Sequence, residues 1–209
     1  LTAADLLRGR KPPPPEAEAG ALLQPVIVQA QPKPDLPQPV AMKDPTVADQ
    51  AGDVYDELAQ AAASIFAAAE SETAPEAPVV VAAVRNVLTC LEEGDQLLTE
   101  TVRRRAEADS WSRRGANVAV MAMRLGRAIG FDERRNLALG LCGLMHDIGM
   151  LCVPEQVLAA DRLTPTQLKQ LRQHPVESQR IVRTFGKAFE WIAKVVVQVH
   201  ERHDGSGYP

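Results

Sequence analysis

From Asp53 to His200 the apolar residues recur with the period of a helix, and only short Gly- and Pro-bearing stretches interrupt them. A 3.6-residue period gathers such residues on one face, and that face must be buried against another element. Val54, Leu58, Ala62, Ile65, Phe66 and Ala69 form one stripe. Val80, Val84, Val87, Leu88 and Leu91 form a second, ending near Gly94. Leu97, Leu98, Val102 and Ala106 suggest a third. Val118, Met121, Ala122, Leu125, Ala128 and Ile129 make a fourth, with Gly130 as its C-terminal cap. Asp132 is placed to cap a fifth helix through Leu137, Leu141, Leu144, Met145 and Ile148, after which Gly149 can turn the chain. Thr164-Pro165-Thr166-Gln167 fits a capping box, opening a helix that runs toward His174 and stops at Pro175. Phe189, Ile192, Val196 and Val199 mark a last helix that delivers His200. The valines at 195–197 favour strand by propensity, but the helical stripe is longer than the valine run. The expected fold class is all-α, a bundle of helices with short connections.

The N-terminal part reads differently. Lys11-Pro12-Pro13-Pro14-Pro15 opens a proline-rich run over residues 9–46. Proline removes amide donors and favours extended polyproline geometry, so a disordered Pro/Ala-rich linker is expected there. The apolar patch Val26-Ile27-Val28 within it is open to readings as a stray strand or a docking segment. The expected organisation is a linker over 1–52, a helical extension over 53–94 and a functional domain over 95–209.

Hydrophobic residues make up 45% of the 209 residues but aromatics only 4%, so the core is expected to be aliphatic. The formal net charge of −4 argues against duplex nucleic acid, which wants a basic face. It leaves room for a small anionic ligand, because a bound metal can supply local positive charge. Cys90, Cys142 and Cys152 lack paired spacing and read as buried thiols of a reducing, cytoplasmic protein. No apolar run reaches the roughly 18 residues that a membrane span needs.

All four histidines, His146, His174, His200 and His203, fall in the last third of the chain. His146-Asp147 and His200-Glu201 each set an imidazole beside a carboxylate. Such a pair offers a neutral nitrogen and an anionic oxygen to a cation, and an Asp can bridge two cations. A lone His-Asp pair is more often a capped helix end or a surface ion pair. Imidazole with carboxylate suits iron, manganese or zinc better than magnesium. Asp204-Gly205-Ser206-Gly207 is tight-turn chemistry, and His203 beside it reads as an exposed or loop-packing ring.

Taken in order, His146-Asp147-Ile148-Gly149, Val153-Pro154, Leu163-Thr164, His174-Pro175, His200-Glu201-Arg202 and Asp204-Gly205-Ser206-Gly207-Tyr208-Pro209 resemble the HD-GYP family of metal-dependent phosphohydrolases. The resemblance covers roughly residues 95–209. It implies an HD-type helical bundle and hydrolysis of cyclic di-GMP in bacterial second-messenger signalling, with one or two ions of iron or manganese. Asp147 would be the bridging and catalytic carboxylate. His146 would serve one ion, and His174 and His200 the other. Asp204, Gly205, Gly207, Tyr208 and Pro209 would form a loop near the substrate or a protein partner. The family domain runs on past the Gly-Tyr-Pro, and the chain begins with Leu1, so it is expected to be a piece of a longer protein, inactive by itself.

Three positions depart from the family pattern. The family's first ligand histidine matches Arg114, three residues before Asn117-Val118, and an arginine cannot bind a metal. A lysine after the His-Asp-x-Gly stretch is Met150, and one of two adjacent histidines is Val199. If Arg114 occupies the first-ligand seat, it should pair with Asp147 and leave room for at most one ion, held by His174 and His200. Hence the alternative to an enzyme is a degenerate module that senses a nucleotide or binds a protein partner.

Overall fold

Every regular element is helical in the computed structural model, which describes residues 45–104 and 110–209, with side chains from Gln50 onward. No strand occurs among these residues. The proline-rich stretch lies outside them up to residue 44, as does Ala106.

Helix α1 spans Pro45–Glu70, so it begins at a proline well before Asp53. A proline suits the first turn, where its missing amide would have had no acceptor anyway. Leu58, Ala62, Ile65 and Phe66 are buried as the stripe required, and Ala51 and Tyr55 extend the same face. Tyr55 donates to Asn117 Oδ1 at 2.6 Å, a buried bond between residues far apart in sequence. Helix α2, Ala77–Glu93, buries all five of its stripe residues. Helix α3, Gln96–Arg103, buries Leu97 and Thr101 but leaves Val102 exposed. One apolar core runs without a break from Ala51 through Leu91 to Val196, so the N-terminal helices share it with the rest.

Glu100 on α3 fastens this end. It accepts from Arg103 Nε at 2.8 Å and from Arg104, which also reaches Asp56 on α1. The Arg103 bond, with Arg104, outweighs burial and pulls the Glu100 carboxyl down to about 2 from its ordinary 4.5. A lowered folded pKa stabilises above the unfolded value and ceases to do so as pH falls through the folded one. Glu100→Gln should therefore lower the denaturation midpoint at pH 7, and the gap to wild type should close between pH 4.5 and about 2. A gap that stays constant over that range would show that Glu100 acts through packing alone.

Helix α4, Trp111–Ala128, reverses an expectation. Its apolar stripe faces outward: Val118, Met121, Leu125 and Ile129 are exposed, while Gly115, Ala116, Ala119, Val120, Met123 and Gly126 are buried. The reason is the approach of α5, Glu133–Met145. A Cβ on Gly143 would lie 2.6 Å from the Ala119 Cα, and one on Gly115 would lie 2.7 Å from the Leu144 carbonyl oxygen. Backbones this close admit only glycine and alanine at the crossing, with Val120 and Met123 packing beside it, so the stripe read from the sequence is not the face that packs. Gly130, at φ 81°, ends the helix as its position suggested, and Asp132 Oδ1 accepts from Arg135 N at 2.8 Å to start α5.

After α5 the chain passes through a 3-10 turn, Ile148–Cys152, and a short α6, Glu155–Leu158. Helix α7, Pro165–Leu171, carries the expected capping box between Thr164 and Gln167. His174 does not end that helix. It begins another, α8, His174–Thr184, with Pro175 in the first turn. A second 3-10 turn, Lys187–Phe189, leads into α9, Glu190–Val196, which buries Ile192 and Val196. The helix stops there, and Val199 is exposed in the following turn. Of the three thiols, all free, only Cys90 is fully buried, and Cys152 is exposed, contrary to the reading from composition. Among the described residues no helix is long and apolar enough to cross a membrane.

Candidate metal centre

Three helix ends deliver the ligand-type residues. His146 is the C-cap of α5, Asp147 follows it, His174 opens α8, and His200 closes the turn after α9. Two of the rings are fixed by backbone carbonyls. His146 Nδ1 lies 2.9 Å from the Gly143 oxygen and His174 Nδ1 lies 2.8 Å from the Leu171 oxygen. A carbonyl only accepts, so both Nδ1 atoms carry the proton and donate it. Both Nε2 atoms are then left to face Asp147. His146 Nε2 is 3.2 Å from Asp147 Oδ2, His174 Nε2 is 3.3 Å from Oδ1, and His200 Nε2 is 3.9 Å from Oδ1.

Two features of this cluster call for a cation. Asp147 Oδ1 is buried with no hydrogen-bond donor, and an unpartnered buried anionic oxygen costs several kcal/mol. The Nε2 atoms of His174 and His200 stand 3.0 Å apart, where two lone pairs repel unless a proton or a metal sits between them. Ligand atoms of Asp147, His174 and His200 all lie within 4.8 Å of one another. A divalent metal fits this donor set, and it would satisfy both features at once. His146 Nε2 addresses the other oxygen of the carboxylate, so the four residues meet around Asp147.

The electrostatics follow the geometry. Burial disfavours the charged form of His146, but the Asp147 carboxylate and the Gly143 carbonyl outweigh it and raise its pKa. Burial likewise opposes ionisation of Asp147, yet His146 and His174 hold it well below the usual carboxylate range. Burial, followed by the neighbouring His174, lowers the pKa of His200. The carboxylate stays ionised and the His200 ring favours its neutral, ligand-competent form.

Ser178, fully buried on α8, was not legible as a site residue. Its Oγ donates to the His146 carbonyl at 2.8 Å and accepts from Gly149 N–H at 2.9 Å. It lies one helical turn after His174, so a single side chain clamps the His146-Asp147 corner to the helix that carries His174. Gly149 does not turn the chain through a positive φ; it leaves space for this contact. Ser178→Ala should cost about 1–3 kcal/mol by orphaning two buried backbone groups. It should also weaken metal binding by about 10–100-fold, as loss of outer support does. Metal titration with parallel denaturation would check both, and unchanged metal affinity would reduce Ser178 to a packing role.

The Gly-Tyr-Pro loop folds back on His200. Glu201 Oε1 accepts from Gly207 N at 3.0 Å and from Arg202 N at 2.8 Å. A Cβ on Gly207 would lie 2.4 Å from the His200 carbonyl oxygen. Held this way, the Tyr208 ring stacks on His200 at 4.7 Å and 9°. Asp204 receives Ser206 N and Oγ at 3.1 and 2.6 Å, a local turn helped by Gly205 at φ 73°. His203 is exposed and outside the cluster.

Arg114 is exposed, and its guanidinium lies over the Trp111 ring at 4.5 Å; the ion partners of Asp147 are the three histidines, so the expected Arg114–Asp147 pair does not form. Met150 is buried with Val153 and Val157 and brings no charge to the site.

Residues 90–209 match the family described as HD domain. A cyclic di-GMP phosphodiesterase of Pseudomonas aeruginosa is 31% identical over 93 residues, which are 44% of this chain and 22% of that protein. A 3'3'-cGAMP-specific phosphodiesterase of Vibrio cholerae is 34% identical over 96 residues, 44% of this chain and 21% of that protein. The cyclic di-GMP phosphodiesterase response regulator RpfG of Xanthomonas campestris is 24% identical over 132 residues, 60% and 35%. The chain thus spans at most 35% of the length of these three relatives. No solved structure matches it.

Proposed function

The chain belongs to the HD-domain family, in its HD-GYP form, and from that premise we propose that it is part of a metal-dependent phosphodiesterase acting on a cyclic dinucleotide, cyclic di-GMP first. The observation that carries this reading is Asp147: a half-buried, ionised carboxylate ringed by three imidazole nitrogens, whose buried Oδ1 lacks a donor. His146, Asp147, His174 and His200 would hold iron or manganese. When bound, such an ion supplies Lewis acidity toward water and toward the phosphodiester. The chain's own groups orient the reaction. The Gly143 and Leu171 carbonyls fix two imidazole tautomers, Ser178 sets the spacing between helices, and Tyr208 fixes the plane of His200. In the hydrolysis, water oxygen forms a new bond to phosphorus, one ester P–O bond breaks, and the proton of water goes to the leaving oxygen. The whole protein would act in the cytoplasm, with the Gly-Tyr-Pro loop beside the substrate.

A second reading keeps its place because of Arg114 and Met150. Neither supplies the ligand nor the cation that the family pattern has there, and Arg114 is engaged with Trp111. The degenerate alternative binds dinucleotide without turnover. The deciding experiment is the full-length protein loaded with iron or manganese and given cyclic di-GMP and 3'3'-cGAMP. Metal uptake with linear product supports the enzyme. Metal uptake and binding without product supports the sensor. Protein that takes up no metal and binds neither dinucleotide ends both.

A further inference from the structure

A groove of about 370 Å³ opens beside the metal cluster, lined by Pro165, Leu168, Lys169, Arg172 and Tyr208 among others. Lys169 and Arg172 stand three residues apart on α7 and its C-terminal cap, so they share a side. Arg172 places its guanidinium 5.3 Å from the Tyr208 ring centre, and that ring stacks on His200. A chain of contacts thus leads from the groove to a candidate ligand. Both cations are exposed, and neither has a carboxylate partner among the described residues.

We propose that Lys169 and Arg172 form an anion subsite that receives a phosphodiester of the substrate other than the one being cut. The proposal rests on the cyclic-dinucleotide reading and deepens it. A cyclic dinucleotide carries two phosphodiesters, and the His/Asp cluster serves one. Met150 is buried in apolar company, so the second charge is not met from that side. A cleft lined by one sign of charge over apolar walls attracts the opposite sign, and Pro165, Leu168 and Tyr208 supply the walls. The simpler use of two cations here is to complement the C-terminal end of α7. Against it, the Arg172 head is turned onto Tyr208, toward the groove.

The test follows the Arg172 Nε–H signal by NMR in the full-length protein loaded with diamagnetic zinc as inorganic pyrophosphate, and separately cyclic di-GMP, is added. Both should move it. Lys169→Ala with Arg172→Ala should raise the Kd for cyclic di-GMP about tenfold, a modest share of binding energy. Unchanged affinity in the double variant with normal metal content overturns the subsite, as does an Arg172 signal that neither anion moves. A signal moved by pyrophosphate while cyclic di-GMP binds nowhere keeps the subsite and overturns the dinucleotide reading. If Arg172→Ala lowers metal content through the Tyr208 stack, Lys169→Ala alone decides, since it touches no part of that stack. A Kd that then rises less than about threefold overturns the proposal.

Discussion

Asp147→Asn is expected to weaken metal binding by more than about 100-fold, beyond what loss of an outer support brings. Asparagine keeps the size but loses the charge, and its amide nitrogen cannot ligate. In wild type Oδ2 faces His146 and Oδ1 faces His174 and His200, so the substitution disturbs every candidate ligand contact at once. Any hydrolysis of dinucleotide should go with it. The effect on folding depends on pH. Partial burial opposes ionisation of Asp147, but His146 and His174 beside it hold the carboxyl well below its ordinary 3.8. Its contribution to the apo fold is therefore present above that pH and fades below it. Element analysis after purification, with manganese-dependent thermal shifts, would read both effects. A variant that carries the wild-type metal load, and melts with the same metal-dependent shift, would remove Asp147 from the centre of the site.

The helices were legible where burial follows hydrophobicity. In α2 every stripe residue is buried, and Asp132 and the Thr164–Gln167 pair cap helices where their types suggested. Legibility failed at α4, where glycine and alanine at the crossing with α5, flanked by Val120 and Met123, form the packed face and the expected apolar stripe is exposed. Periodicity registers side-chain character, and it cannot register how closely two backbones approach. The same limit hid α8. Pro175 reads as a stop from sequence, but a proline one residue into a helix is a start, and only the fold decides between them. That His146, Asp147, His174 and His200 come together was legible from residue type and motif order. What holds them was not. Ser178 is an ordinary serine until its distance to His146 is known, though its position four residues after His174 places it on the same helix face. Glu201 looked like part of a ligand motif, and its carboxylate instead closes the loop that sets Tyr208 on His200. Arg114 was placed by pattern opposite Asp147, and stacking on Trp111 takes it elsewhere.

Gly149→Ala should be the most damaging single-methyl change near the site. The added Cβ would lie 2.0 Å from the His174 carbonyl oxygen, 2.4 Å from Ser178 N and 2.8 Å from Ser178 Oγ. Two of these are backbone atoms of α8, so no side-chain rotation relieves the contact. Either the 3-10 turn Ile148–Cys152 or the start of α8 must move, and both flank the cluster. Ordinary overpacking costs about 1–3 kcal/mol, and a rigid backbone clash should exceed that range. At about 2–4 °C per kcal/mol for a chain of this size, the melting temperature should fall by more than about 6 °C. Metal affinity should fall with it, because His174 is carried on the displaced turn. Gly130→Ala separates this effect from backbone strain. Gly130 sits at φ 81° with nothing within 4 Å of an added Cβ, so alanine there strains the backbone without a clash. It should cost about 1 kcal/mol and leave metal binding intact. If Gly149→Ala behaves like Gly130→Ala in both melting and metal titration, α8 yields at that contact, and the spacing between the His146-Asp147 corner and His174 is not what sets metal affinity.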